Sequence, residues 1–168
     1  MSTGRALAGV TILQAVRQSA PAYIHLAAAF AGRIMVDLGA AVHRAVENDA
    51  DPFQAFVPHV FEGANQRSIY ELFLVHSTQK IRVSAWDAAS LLRVMPRVDV
   101  VIADAKTAND LKEVTASGGS SGPIVVAVRS STPAEGTETE LGILARSGLL
   151  HIIGEADRAP LRLPGKQV

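Results

Sequence analysis

Stretches of apolar residues with strand-like spacing alternate along this chain with stretches spaced for helices. The first, Leu7-Ala-Gly-Val-Thr-Ile-Leu13, ends in a β-branched run and reads as a strand. Pro21 suits the first turn of a helix, where its missing N–H costs nothing. Leu26, Phe30, Ile34 and Leu38 follow at four-residue spacing, with Ala27, Ala31 and Met35 beside them. That spacing predicts one wide buried stripe, ended by Gly39 in a left-handed cap. Residues 40–46 read as a second strand and 68–75 as a third, while Asp49, Asp51, Pro52, Pro58 and Gly63 make 47–66 mostly loop. A helix over 85–95 stops at Pro96, and 98–103 is a nearly continuous apolar run, the mark of a strand covered on both faces. A polar helix over 107–116 leads through the Ser117–Gly122 turn to a strand over 124–128. A final helix begins near Thr137, where Thr137-x-x-Glu140 has capping-box spacing, with Leu141, Leu144, Leu149 and Ile152 as its apolar face.

This alternation predicts an α/β fold: a Rossmann-like parallel sheet with helices on both faces. One domain over 1–153 is expected, followed by an extended tail or linker over 154–168, which Pro160, Pro164 and Gly165 interrupt. In such sheets ligands bind outside the carboxyl ends of the strands, near the point where strand order reverses. The loops after Leu13, Val46, Ala103 and Val128 are the places where a site is expected.

Composition narrows the classes. A chain of 168 residues with 48% hydrophobic residues has the makings of one ordinary globular domain. Sixteen basic against 16 acidic residues exclude the broad basic field of a nucleic-acid binder. With no cysteine there is no disulfide framework, no thiolate metal site and no cysteine nucleophile. No apolar run approaches the ~20 residues needed to span a bilayer, and the start lacks a secretory pattern, so a cytoplasmic location is expected. There is no G-x-G-x-x-G after the first strand, no phosphate loop and no nucleophile elbow. His25, His43, His59, His76 and His151 lack metal-ligand spacing, so no metal site is expected, and each reads as a surface or packed histidine.

One set of motifs does stand out. Ala28-Ala-Phe-Ala-Gly-Arg-Ile-Met-Val-Asp-Leu-Gly-Ala40, with Val42 and Glu47 after it, resembles the opening helix and strand of the family III CoA-transferases. This is the CaiB/BaiF group, which includes formyl-CoA transferases and alpha-methylacyl-CoA racemases. Leu7–Leu13 is similar to the family's first strand, and Arg67-Ser-Ile69 to its "K-R-S-V". Asp99-Val-Val-Ile-Ala-Asp104 resembles "D-V-V-V-E-N", and Ile124-Val-Val-Ala-Val-Arg-Ser130 the strand after it. Glu140-Leu-Gly-Ile-Leu-Ala-Arg-Ser-Gly-Leu149 is similar to "D-x-x-x-Q-A-x-S-G-L", and Gly154–Arg162 to "G-x-x-D-x-P-P-x-R". The resemblance runs in order through nearly the whole chain and implies the N-terminal part of the family's large domain.

It also implies a site. In the family an aspartate opening the last helix is a carboxylate nucleophile that attacks the acyl-CoA carbonyl, giving anhydride and enzyme-thioester intermediates. Here Glu140 holds that position, its carboxylate displaced by the extra methylene where near-attack geometry tolerates ~1 Å. A second role for Glu140 is the helix cap. The family's Asn-Phe pair against CoA is Asp104-Ala105 here, which removes an aromatic wall and adds a negative charge. Arg129 falls where a basic CoA contact is expected, and Gln14–His25 reads as an insertion replacing the family's Gly-Pro loop.

Family members are much longer, continuing into a second small domain, and two chains interlock so that both supply the active site. The expected partner is therefore a protein chain, either a full-length CoA-transferase-like chain or a second copy. CoA or acyl-CoA is the implied small molecule, with no covalently bound cofactor. Two readings of function follow: an accessory or degenerate subunit in acyl-CoA metabolism, and an active acyl-CoA transferase part using Glu140. A racemase ranks behind both, since no His/Asp pair is found.

Overall fold

In the computed structural model the described residues are 4–47, 51–62, 65–94, 97–117, 122–129 and 140–148, with positions 152 and 157. The chain divides into two compact units, Met1–Val128 and Arg129–Val168.

The first unit is built on five parallel strands: β1 (Thr11–Ala15), β2 (Ala41–Glu47), β5 (Gln79–Val83), β6 (Val100–Asp104) and β7 (Ile124–Val128). Their order in the sheet is β5-β2-β1-β6-β7. From β1 the chain winds outward through β2 to β5, then returns to the other side of β1 for β6 and β7. The reversal of strand order thus falls between β1 and β6, the arrangement of a doubly wound α/β domain. A second, antiparallel pair joins β3 (His59–Glu62) to β4 (Asn65–Ser68).

Alternate residues of β1 point to opposite faces, as the strand pleat requires. Ile12 joins Val42 and Ile102 under helix α1 (Ala22–Asp37), which contributes Ala28 and Met35. Leu13 and Ala15 join Ala45, Val83, Val101 and Ala103 beneath α2 (Ala88–Arg93) and α3 (Ala105–Ser117). Both sheet faces are therefore covered, which is why β6 reads as a continuous apolar run.

The sheet and helices expected over 40–46, 98–103, 107–116 and 124–128 appear within a few residues of those bounds. Gly39 ends α1 with φ of +103°, and its absent side chain leaves room for Arg5, whose Cβ would lie 2.4 Å from a Cβ there. The first strand sits later than expected, at Thr11–Ala15. Residues 71–75 form a π-helical turn rather than a strand, and the third strand of this side is β5, further along. The stretch read as loop contains a 3-10 turn (Pro52–Ala55) and the β3–β4 hairpin.

The orientation of α1 is the largest correction. Leu26 is buried, but Phe30, Ile34 and Leu38 are exposed at 55%, 46% and 42%. The face against the sheet is instead Ala28, Ala31, Gly32 and Met35. Small residues let the helix axis approach the sheet closely. At Gly32 a Cβ would fall 2.1 Å from Gln14 Nε2, on a β1 side chain that donates to the Ala28 carbonyl. A bulky residue there would push α1 off the sheet.

The second unit contains α4 (Glu140–Arg146), followed by Gly148 with φ of +78°. Leu144 is buried and Ile152 is exposed. Thr137, Leu149 and the Ser117–Gly122 turn from 118 to 121 lie outside the described residues, so the capping box does too. Among the described residues no helix is long and apolar enough to cross a membrane.

Candidate functional site at the carboxyl edge of the sheet

The carboxyl ends of β1, β2 and β5 and the connections after them enclose a basin of about 410 Å³ lined by Arg17, Gln18, Ser19, Glu47 and Trp86. An inner recess of about 30 Å³ shares Gln18, Glu47 and Trp86 with it and is also lined by Gln14, His25, Arg44 and Phe53. A recess of that size admits about one water or one small polar group. The segment read as an insertion, Gln14–His25, supplies Gln14, Val16, Arg17, Gln18, Ser19 and His25 to this lining, from the end of β1, the 16–21 connection and the first turn of α1.

The connection after β1 is held from β6. Asp104, the last residue of β6, is buried, and its Oδ2 accepts from the Arg17 backbone N–H at 2.9 Å and from Thr107 Oγ1 at 2.7 Å. Its Oδ1 accepts from the backbone N–H of Lys106 at 3.1 Å and of Thr107 at 3.0 Å. Those two are N–H groups that the first turn of α3 leaves without helical partners, so Asp104 is that helix's N-cap. Thr107 is buried, and its hydroxyl, while donating to Asp104, accepts from Arg17 Nε at 3.1 Å and Trp86 Nε1 at 3.2 Å. Arg17 also reaches Asp110 at 2.5 Å. One hydroxyl thereby fixes both an arginine and a tryptophan at the basin wall.

A second buried polar group lies behind the recess. Arg44 on β2 makes two parallel bonds to Asp51, at 3.1 and 2.7 Å, and a third from Nε to Thr78 Oγ1 at 3.1 Å. Its guanidinium also lies 5.1 Å from the centroid of Phe53. Lys80 reaches Asp51 at 2.7 Å, and the Phe53 N–H donates to the same carboxylate. Burial works to raise the Asp51 pKa, but the Arg44 and Lys80 bonds outweigh it and hold the carboxyl at about 2.

His25 is buried edge-on to Phe53 and Phe56. Burial pushes its pKa below the ordinary histidine value, against bonds to the Gln18 and Arg17 backbone and the charges of Asp104 and Asp51. Its Nε2 is buried without a hydrogen-bond partner, and the side chain lines the recess.

Of the residues named from sequence, Asp104 and Ala105 meet at the β6–α3 junction, beneath the basin wall. Arg129 directly follows β7 and is exposed, and Glu140 is the first residue of α4; both belong to the second unit. Sequence reasoning missed Arg17, Gln18, Trp86 and the role of His25. The rule placing ligands after the strands did mark the loop after β1 that carries Arg17 and Gln18, but Trp86 follows β5, outside the loops named from sequence. Among the described residues no cluster of His, Asp or Glu is arranged to hold a metal.

A five-stranded doubly wound sheet with a basin at its carboxyl edge defines an α/β domain of the doubly wound class. No family model matches the sequence, and no curated protein matches it. Solved structures do. A CAIB/BAIF family protein from Brucella suis superposes with a TM-score of 0.71 at 18% identity, covering 95% of this chain and 43% of that one. Rv3272 from M. tuberculosis gives 0.60 at 17% identity, covering 98% and 46%, and its D175A mutant 0.58 at 16%, covering 98% and 45%. At such identities the likeness is one of fold, and the fold expected from the motifs is the one found. The chain spans less than half the length of the structures it matches.

Proposed function

We propose that this chain is a CoA-transferase family III-like domain that serves acyl-CoA metabolism as an accessory subunit, working with a partner chain. The observation that carries the reading is the state of Asp104. The position that the resemblance assigns to the CoA wall holds a carboxylate whose two oxygens already take four bonds from Arg17, Lys106 and Thr107. That carboxylate caps a helix and anchors a loop, and an anionic group there opposes a polyanionic ligand. The basin beside it keeps Arg17 and Trp86 for a ligand of reduced charge or for part of a larger site. A match confined to less than half of the solved neighbours accords with a site completed by further polypeptide. Copurification from the source followed by native mass spectrometry tests this. A stable complex with an acyl-CoA enzyme is expected; a chain recovered alone, which turns over acyl-CoA unaided, would sink the accessory reading.

The position of Glu140 at the start of α4 favours a second reading, an active transferase part. There the Glu140 carboxylate attacks the thioester carbonyl and expels the CoA thiolate, forming a mixed anhydride. The thiolate then attacks the glutamyl carbonyl and releases the acyl carboxylate, leaving an enzyme thioester. Hydroxylamine trapping after incubation with acetyl-CoA should label Glu140 and spare Glu140→Gln. Equal labelling of both rejects this reading.

A further inference from the structure

The charges around the basin are unevenly matched. Arg17 gives Nη2 to Asp110 and Nε to the Thr107 hydroxyl. Arg44, in the wall of the inner recess, is met by both oxygens of Asp51, and Lys80 behind it by Asp51 and Glu71. Glu47, the last residue of β2, is half-buried and lines both the recess and the basin. Among the described residues its carboxylate enters no ion pair and no side-chain hydrogen bond. His25 lines the same recess, 5% exposed, with its Nε2 buried and without a partner. A buried polar atom left unbonded is costly, and native structures rarely keep one without a reason. Trp86, shared by recess and basin, adds an aromatic wall held in place by Thr107.

We propose that recess and basin together bind a small primary amine, its ammonium group in the recess donating to the Glu47 carboxylate and His25 Nε2, and its carbon chain in the basin against Trp86. An amine site of this kind goes beyond the accessory reading, which the copurification experiment decides separately. Charge selects the ligand. The cations at the wall already face carboxylates, and the unmatched charge is negative, so the site draws a cation and disfavours an anion. Burial keeps the His25 ring from charging, so the ring does not repel a cation beside it. An ammonium brings three N–H donors to these two groups, and an indole ring is the best aromatic partner for a cation. Size narrows the choice further. A recess of about 30 Å³ admits an ammonium, which is close to a water in size, and excludes a quaternary nitrogen with its four carbons.

Trp86 is the chain's single tryptophan, so its fluorescence reports on the basin directly. Titrating the full chain with n-butylammonium chloride should change that fluorescence saturably, with a dissociation constant on the order of 1 mM for a ligand this small. The His25 ring nitrogens should shift in NMR over the same range. Glu47→Gln should weaken binding about tenfold, because a charge-assisted bond is lost. Glu47→Asp should keep most of the affinity, and Glu113→Gln on the exposed side of α3 should leave it unchanged. Sodium butyrate and tetramethylammonium chloride should leave the fluorescence unchanged at the same concentrations. No saturable response to butylammonium, equal binding by a Glu47→Gln chain with native circular dichroism, or an equal response to tetramethylammonium or butyrate would each overturn the proposal. Displacement of butylammonium by acetyl-CoA would overturn it too, by giving the basin to a polyanionic thioester.

Discussion

Asp51 and Asp104 are both buried carboxylates of the first unit, and their charges are balanced by opposite means. Asp51 sits against two full positive charges, Arg44 and Lys80. Asp104 is held by dipoles: three backbone N–H groups and one hydroxyl, two of the N–H groups from the start of α3. The difference matters because an ion pair is strong only while both partners stay charged, whereas a cap depends on where the chain places its N–H groups. Asp51 therefore ties stability to pH, and Asp104 ties the geometry of the basin to the β6–α3 junction.

The sharpest way to break this comparison is Asp51→Ala. It leaves Arg44 buried without its counter-ion, and a loss of about 3–5 kcal/mol in denaturant unfolding is expected. A loss below about 1 kcal/mol would show that water reaches Arg44. The pH dependence follows from the same pair. The folded pKa of Asp51, about 2, lies below its unfolded value, so its contribution is complete above about pH 4 and lost as pH falls toward 2. Unfolding curves of the native chain and of Asp51→Asn should converge over that window, and parallel curves would contradict the assignment.

Thr107→Val tests the other carboxylate. It deprives Arg17 Nε and Trp86 Nε1 of their shared acceptor and Asp104 of one donor, at a cost of about 1–3 kcal/mol. The Arg17 amide should also exchange faster with solvent deuterium. Unchanged exchange at Arg17 would mean that the loop is positioned without this hydroxyl.

The smallest effect is expected at His25. Its Nε2 has no partner, so His25→Phe should change stability by less than about 1 kcal/mol, in either direction. In the native chain the ring should titrate below the usual histidine range when followed by NMR, because burial disfavours its charged form. A ring that titrates at or above the usual histidine range would show that water reaches this side chain.

The parts of the fold that sequence reading missed share a physical cause. Residues 68–75 carry the composition of a strand, but packing turns Glu71–Val75 into a π-helical turn with Leu74 and Val75 against α1 residues Leu26 and Ala29. The true edge strand, Gln79-Lys80-Ile81-Arg82-Val83, does alternate, but its outward side chains are long and charged, so it does not stand out as apolar. The candidate site was half legible. The rule for α/β sheets selects the loop after β1, while nothing local links Arg17 to Thr107, 90 residues away.

By itself, the sequence determined that strands and helices alternate, that β6 is covered on both faces, and where α1 and its left-handed cap end. These properties depend on the side chains of neighbouring residues, which set hydrophobic period and backbone freedom. Only the tertiary structure decided which of the two apolar faces of α1 meets the sheet, because that choice turns on how closely Gly32 lets the helix approach Gln14. It likewise decided that Asp104 caps α3 and grips the loop after β1. Hydrogen bonds between distant segments exist only once the sheet has set the ends of β1 and β6 side by side.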